Sequence, residues 1–133
     1  MQTVYLCGGI NGLTYADAKD WRDVAKFALF RAGFTVLDPM RRDFRGIEGD
    51  HTAGIVQGDL FDIGASHVVL VNASHSSWGT AMELMYAARC HTHRKQIVAF
   101  GAGDAPSPWL VYHCDRLFPD LAAALTYIVG LRP

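Results

Sequence analysis

Short apolar runs alternate with longer amphipathic stretches along most of this chain. Apolar, β-prone runs cover Thr3–Cys7, Phe34–Asp38, His67–Asn72 and Gln96–Phe100. Between them, apolar residues recur at the three- and four-residue spacing of a helix that buries one face. Nearly continuous apolar strands that alternate with such helices predict a parallel sheet covered on both faces. We therefore expect an α/β fold: a flavodoxin-like or Rossmann-like three-layer sandwich with four to five parallel strands.

Each of these strands is followed by a predicted helix. The first helix covers Tyr15–Ala32 and ends at Gly33, a natural C-terminal stop. Further helices are predicted over Ile55–Ala65, which Gly58 and Gly64 weaken, and over Thr80–Cys90 and Asp120–Val129, with a short helix opening near Ser107–Trp109. The order β-α-β-α-β-α-β-α suits a single domain over residues 1–133.

Three predicted loops leave the carboxyl ends of the strands, where open parallel sheets bind their ligands. They cover residues 8–14, 39–52 and 73–79. The second loop is polar and basic, and it is longer than an ordinary connector, so it is a candidate binding loop. We expect any chemistry to lie among these three loops.

Composition limits the classes of function. The chain has 133 residues, half of them hydrophobic, and a net charge of -1, which gives no general affinity for nucleic acid polymers or anionic membranes. No apolar run reaches the roughly 18 residues that span a bilayer, and Met1 leads into a strand without the basic segment of a signal peptide. Cys7, Cys90 and Cys114 are odd in number and form no CxxC motif. A cytoplasmic protein without disulfides or structural zinc is therefore expected.

Glu83 is the first candidate for chemistry. Thr80 and Glu83 have the spacing of a capping box, in which the glutamate accepts a hydrogen bond from a backbone N–H at the helix start. The same carboxylate would also lie at the mouth of the sheet as a nucleophile. A helix N-terminus favours its ionised form by ~0.3–1 kcal/mol, and a free glutamate titrates near about 4.3, so we expect an anion at neutral pH. The two interpretations are compatible.

Two aspartates form the second candidate. On a helix, Asp59 shares a face with Ile63, whereas Asp62 lies roughly 100° away from Ile63. Both aspartates would then be solvated, or one would point to solvent and the other to the site. A pairing of Asp59 with Glu83 would let one carboxylate attack carbon while the other handles the proton of the leaving group.

Loop residues give weaker signals. The glycine-rich segment Gly8–Gly12 is neither a GxGxxG nor a Walker A sequence, and it fits a phosphate cradle or a plain tight turn equally well. Arg41, Arg42 and Arg45 are either solvated or available to a phosphate. His91 and His93 beside Cys90 are better explained as cations near a helix C-terminus than as metal ligands.

Together these motifs resemble the nucleoside 2-deoxyribosyltransferase family, including its hydrolytic relatives, the nucleoside 5′-monophosphate N-glycosidases. The resemblance covers residues 3 to about 90 and rests on Val4–Ile10, Asp59–Ile63 and Gly79–Leu84 with Ala87. It implies that Glu83 is the nucleophile that forms a covalent glycosyl ester. It also implies that Asp59 helps to protonate the departing base and that the hydroxyl of Tyr5 positions the nucleophile.

One position separates the two branches of this family. Six residues before the nucleophile, the transferases carry an aspartate that binds the sugar 5′-hydroxyl, whereas this chain has Ser77, as the monophosphate hydrolases do. A carboxylate there would repel a 5′-phosphate, while a hydroxyl can donate to it. The chain departs from the hydrolases at Gly9, where they have a serine, and at Asn11, where they have a basic residue. Arg41, Arg42 and Arg45 are alternative sources of the missing charge. Of these three arginines, we assign Arg45 to the substrate-binding residues. The other residues that the resemblance implies for substrate binding are Gly8, Gly9, Ile10, Asn11, Asp62, Ser77 and Gly79.

The resemblance thus implies an enzyme that cleaves the N-glycosidic bond of a nucleoside 5′-monophosphate and releases the free base. It implies no metal, no organic cofactor and no partner beyond a small nucleoside or nucleotide and further copies of the chain, as a homodimer or a larger assembly. Met85, Trp109 and Tyr112 are candidate interface residues that fit a core position equally well. Two alternatives remain: a transferase that exchanges bases on free deoxynucleosides, and a non-catalytic nucleotide-binding module.

Overall fold

Five parallel strands form the centre of the molecule. The computed structural model describes residues 2–90 and 92–131. The strands are β1 (Thr3–Cys7), β2 (Thr35–Leu37), β3 (Val68–Asn72), β4 (Gln96–Phe100) and β5 (Arg116–Phe118). Their spatial order is β2-β1-β3-β4-β5, and every neighbouring pair is parallel. This is the flavodoxin-like order, and it confirms the predicted α/β class with a parallel sheet.

Helices cover both faces of this sheet. They are α1 (Tyr15–Arg31), α2 (Thr52–Ala65), α3 (Trp78–Arg89), α4 (Pro108–His113) and α5 (Leu121–Val129). Helices α1 and α5 pack on one face, and α2 and α3 pack on the other, which confirms the three-layer sandwich. None of the helices in the described ranges is long and apolar enough to cross a membrane.

The strand β1 sends alternate side chains to the two faces, as the two-residue period of a strand requires. Val4 and Leu6 join the cluster beneath α1 and α5. Tyr5 and Cys7 join the opposite cluster, beneath α2 and α3. Tyr5 therefore extends from the centre of the sheet toward the helix that carries Glu83.

Several boundaries differ from the sequence-based predictions. The strand β5 has three residues, of which two are exposed, so it lacks the apolar run that marks a buried strand. Two 3₁₀ turns, Pro39–Arg41 and Glu48–Asp50, occupy the long loop before α2. Helix α2 begins at Thr52 rather than at Ile55, and α3 begins at Trp78, two residues before the predicted start.

Candidate active site

A buried arginine organises the carboxyl edge of the sheet. Arg22 of α1 is fully buried, and its guanidinium donates to the backbone carbonyls of Leu6, Gly8 and Ala18 at 2.8 to 2.9 Å. It also pairs with Asp38 at the end of β2, with an N–O distance of 3.3 Å. Buried charges persist in proteins when they are paired and hydrogen-bonded in this way. Arg22 therefore links the ends of β1 and β2 to α1.

Gly8 begins the glycine-rich loop and is required by packing. A Cβ at this position would lie 2.7 Å from Cζ2 of Trp21 and 3.2 Å from Cβ of Asn72, closer than such atoms approach. Its carbonyl accepts the hydrogen bond from Arg22. Gly8 thus contributes to the framework below the site, and its carbonyl is already in use.

The rest of the glycine-rich loop reaches the serine that precedes α3. A Cβ on Gly9 would lie 3.7 Å from Cβ of Ser77, so the two loops are in close proximity. Gly12 has a φ of +83°, which permits the turn that leads into α1. Asn11 is exposed at the tip of this loop.

Ser77, and not Thr80, caps helix α3. Its Oγ accepts a hydrogen bond from the backbone N–H of Thr80 at 3.3 Å, a typical N-cap contact. Glu83 is consequently the sixth residue of the helix, beyond the first turn. The predicted capping box between Thr80 and Glu83 is therefore wrong, because a good capping residue three positions earlier starts the helix sooner.

Tyr5 and Glu83 meet between β1 and α3. The buried Tyr5 hydroxyl donates a hydrogen bond to Oε2 of Glu83. Burial raises the pKa of Glu83 from 4.5 to about 7; the nearby Asp59 adds to the rise, and the hydrogen bond from Tyr5 opposes it. Burial also holds the pKa of Tyr5 far above its usual value, so its hydroxyl stays a donor. Glu83 is ionised in only about half of the molecules at pH 7, not in nearly all of them as the sequence suggested.

Asp59 and Asp62 of α2 both face arginines, and neither points freely into solvent. Nη2 of Arg42 donates to Oδ1 of Asp59 at 3.1 Å and to Oδ2 of Asp62 at 2.9 Å. Nη2 of Arg41 donates to the same oxygen of Asp62 at 2.6 Å. Asp62 is 4% exposed. The predictions of solvated aspartates and of a solvated Arg42 are therefore wrong, because the 39–52 loop folds back onto α2, whereas the side chain of Arg41 is 40% exposed despite its ion pair.

Asp59 is the half-buried member of this cluster. Burial raises the pKa of Asp59 above its usual value, and the ion pair with Arg42 limits the rise. Asp59 in turn raises the pKa of both Tyr5 and Glu83, which shows that the three groups share one electrostatic environment. The structure thus brings together the three residues predicted to be catalytic.

A cleft with an empty volume of about 560 Å³ opens beside this cluster at the carboxyl edge of the sheet. Apolar side chains supply much of its wall. The cleft is lined by Ile10, Pro39, Met40, Phe44 and Ile55, and by Asn11, Arg42, Asp43, Arg45, Glu48 and Asp59.

A second, shallower cleft adjoins the first. It is lined in part by Ser77 and Gly79, and it shares Asn11 with the first cleft. Oε1 of Glu83 lies 3.9 Å from the point where a Cβ on Gly79 would sit. Glu83 is therefore next to the second cleft, while Asp59 lines the first.

Arg45 lines the first cleft with its charge already paired. Its guanidinium donates to both carboxylate oxygens of Asp43, at 2.9 and 2.8 Å, and holds the pKa of Asp43 at about 2. The same guanidinium lies over the ring of Tyr15, 4.0 Å from its centroid. Asp43 and Tyr15 thus orient Arg45, whose role toward a phosphate stays a prediction.

The basic residues after α3 lie at the opposite end of the sheet. His93 contacts the backbone carbonyl of Ser66 at 2.6 Å, and Lys95 donates to the carbonyls of Gly64 and Ser66. These residues therefore contact the C-terminus of α2 rather than that of α3, the helix they follow. His91 lies outside the described residues. Within residues 2–90 and 92–131, the His, Cys, Asp and Glu side chains form no group of three that could hold a metal.

Comparison with solved structures places this site in a known fold. A 2-deoxyribosyltransferase from Bacillus psychrosaccharolyticus is similar with a TM-score of 0.74 at 18% identity, over 94% of this chain and 91% of that one. A 2-deoxyribosyltransferase from Leishmania mexicana is similar with a TM-score of 0.72 at 18% identity, over the whole of both chains. The chain has the fold of the 2-deoxyribosyltransferases. The resemblance noted in the sequence is therefore confirmed at the level of the fold.

The deoxyribosyltransferase fold also includes a glycosidase. The CMP N-glycosidase of Clostridium botulinum is similar with a TM-score of 0.60 at 15% identity, over 96% of this chain and 98% of that one. No protein-family model matches the sequence, and no curated protein sequence matches it. At these identities the similarity concerns the fold, so the reaction has to be argued from the side chains of the site.

Proposed function

We propose that this chain hydrolyses the N-glycosidic bond of a nucleoside 5′-monophosphate, with Glu83 as nucleophile, Asp59 as general acid and base, and Tyr5 as the residue that positions Glu83. The observation that carries the proposal is the hydrogen bond from the buried Tyr5 to Glu83, close to a second half-buried carboxyl group that lines the cleft. A nucleophile oriented by a third group, with an acid nearby, is the arrangement that retaining glycosidases use.

The proposed reaction has two steps. The ionised Glu83 attacks C1′ of the sugar, the bond from C1′ to the base breaks, and its electron pair leaves with the base, which takes a proton from Asp59. Water then attacks C1′, the ester bond to Glu83 breaks, and Asp59 recovers a proton from the water. Each step begins with one carboxyl group ionised and the other able to exchange a proton.

Released base measures this reaction directly. We expect the wild type to liberate base from at least one member of a panel of nucleosides and their 5′-monophosphates, followed by chromatography. Glu83→Ala should lose this activity, and added formate or azide should restore part of it, because a small anion can take the place of the missing nucleophile. Full activity of Glu83→Ala without added anion would overturn the proposal.

Ser77 supports the choice of a monophosphate. Its Oγ accepts the N-cap hydrogen bond, so its own proton remains available to a phosphate oxygen in the second cleft. Ser77→Asp tests this without breaking the helix start, since aspartate is an equally good N-cap. We expect the variant to lose about tenfold or more in kcat/KM for monophosphates but not for free nucleosides. An equal loss for both substrate classes would contradict a phosphate site at Ser77.

Base exchange is a second candidate reaction. It is favoured by the two solved 2-deoxyribosyltransferases, whose TM-scores exceed that of the CMP N-glycosidase. Incubation of a deoxynucleoside with a second free base separates the two reactions. A new nucleoside would indicate transfer, and free sugar or sugar phosphate would indicate hydrolysis. Tight binding with intact ligand recovered would indicate a binding module instead.

We also infer that the chain forms a homodimer through α3 and α4. Trp78, Trp109 and Tyr112 are 86%, 69% and 80% exposed, whereas Met85 is half-buried. Large aromatic side chains this exposed are typical of interfaces and rare on the surface of monomers. Trp109 and Tyr112 are consequently not core residues. Sedimentation of the wild type and of Trp109→Ser with Tyr112→Ser tests the inference, which predicts a dimer and a monomer respectively.

A further inference from the structure

The guanidinium of Arg42 packs against Gly58 of α2, where there is no side chain in the way. Gly58 lies in the middle of the helix, where glycine costs about 1 kcal/mol relative to alanine. A Cβ at this position would lie 3.2 Å from Cζ and Nη2 of Arg42 and 3.4 Å from its Nε. The missing side chain thus lets the guanidinium rest against the helix, next to the carboxyl groups of Asp59 and Asp62.

The guanidinium is held by Nη2, and its Nε lies against the helix at Gly58. Nη2 contacts both aspartates, while Nε and Nη1 form no hydrogen bond with any residue in the described ranges. Arg42 and Asp59 both line the first cleft, and 29% of the Arg42 side chain is exposed. The buried Asp62 thus forms ion pairs with both Arg41 and Arg42.

On the basis of the proposed function, we propose that Arg42 is a positioning residue for leaving-group protonation. It holds the carboxyl group of Asp59 toward the cleft, and it stabilises the carboxylate that forms when Asp59 gives its proton to the departing base. The proton moves from Asp59 to the base as the bond from C1′ to the base breaks, and the positive charge of Arg42 remains beside the new anion. General acid catalysis of this kind contributes about 10²- to 10⁴-fold.

Substrates that need no protonation isolate this role. The base of 7-methylguanosine 5′-monophosphate is already cationic, and 5-nitrouracil leaves as a stable anion. The test therefore compares guanosine with 7-methylguanosine 5′-monophosphate if the enzyme accepts purines, or uridine with 5-nitrouridine 5′-monophosphate if it accepts pyrimidines. We expect Arg42→Met to lower kcat/KM about 10- to 100-fold for the unactivated substrate and less than about threefold for the activated one.

Two matched controls separate this role from a structural one. Arg41→Met removes an ion pair to the same Asp62 from a residue outside the lining of the cleft, so both substrates should keep their rates. Gly58→Ala shifts the guanidinium by a few tenths of an ångström while favouring the helix, so it should show a smaller loss with the same substrate selectivity as Arg42→Met. Gly54→Ala, in the same helix with no atom within 4 Å of the added Cβ, should change neither rate.

The pH profile gives a second measurement. Arg42 lowers the pKa of Asp59, so its removal should move the limb of kcat/KM that reports Asp59 to higher pH, with Arg42→Lys between the two. Equal losses for activated and unactivated substrates, with an unmoved profile, would overturn the role of Arg42 while leaving the proposed function intact. A wild type that releases no base from any substrate would overturn the proposed function and this inference with it.

Discussion

Replacing Tyr5 with phenylalanine removes one hydroxyl group and leaves the buried ring in place. That hydroxyl donates to Glu83 and lowers the pKa of its carboxyl group, which burial has raised to about 7. A hydrogen bond to a charged group contributes about 1.5–3 kcal/mol, and one pKa unit corresponds to about 1.36 kcal/mol. Tyr5→Phe should therefore raise the pKa of Glu83 by about one to two units. The ionised fraction at pH 7 would fall from about a half to about 1–10%.

Carbon-13 NMR of selectively labelled glutamate measures this shift without a substrate. The chain contains only two glutamates, Glu48 and Glu83, so the spectrum has two carboxyl signals, and Glu83→Gln assigns them. The account predicts that the Glu83 signal titrates near pH 7 in the wild type and near pH 8 to 9 in Tyr5→Phe. An unchanged midpoint would show that the Tyr5 hydroxyl does not stabilise the ionised nucleophile.

Two further predictions concern stability. The pKa of Glu83 is higher in the folded chain than in the unfolded one, so its contribution to stability is complete below about pH 4.5 and is lost as the pH rises through about 7. Over this window the free energy of unfolding of the wild type should fall by about 3 kcal/mol relative to that of Glu83→Gln. Urea unfolding measures this difference, with Glu48→Gln as the control. Gly8→Ala should cost about 1–3 kcal/mol in the same assay because its Cβ would collide with Trp21, whereas Gly54→Ala should be neutral or stabilising, and equal effects would contradict the packing argument.

The strands and the candidate catalytic cluster were accessible to sequence analysis for physical reasons. The strands β1, β3 and β4 are buried on both faces and therefore appear as apolar runs, whereas β2 is only partly buried. Tyr5, Asp59 and Glu83 lie within segments that resemble a known family, and their order along the chain matches the order of the elements. The three-residue edge strand β5 was not predicted, because its residues are largely exposed and form no apolar run.

Contacts between distant segments were not accessible. Arg22 lies four residues after Ala18 and three before Ala25, and it therefore belongs to the buried face of α1. An arginine at such a position indicates that buried anions or carbonyl groups pair with it. The partners of Arg42 depend on how the 39–52 loop folds onto α2, which local sequence does not specify. The pKa of Glu83 depends on burial and on Tyr5, Asp59 and Arg22, which are distant in sequence. The sequence alone therefore suggested a fully ionised carboxylate, whereas in the structure burial raises its pKa to about 7.

The proposed reaction requires an ester between C1′ of the sugar and the carboxyl group of Glu83, and this intermediate can be trapped. Substrate is mixed with enzyme, the reaction is quenched in acid within milliseconds to seconds, and the protein and its peptides are weighed by mass spectrometry. The account predicts an added mass equal to one glycosyl phosphate, on the peptide that contains Glu83, and no such mass in Glu83→Gln. Rapid release of base with no adduct at any time point, or an adduct on another residue, would contradict it.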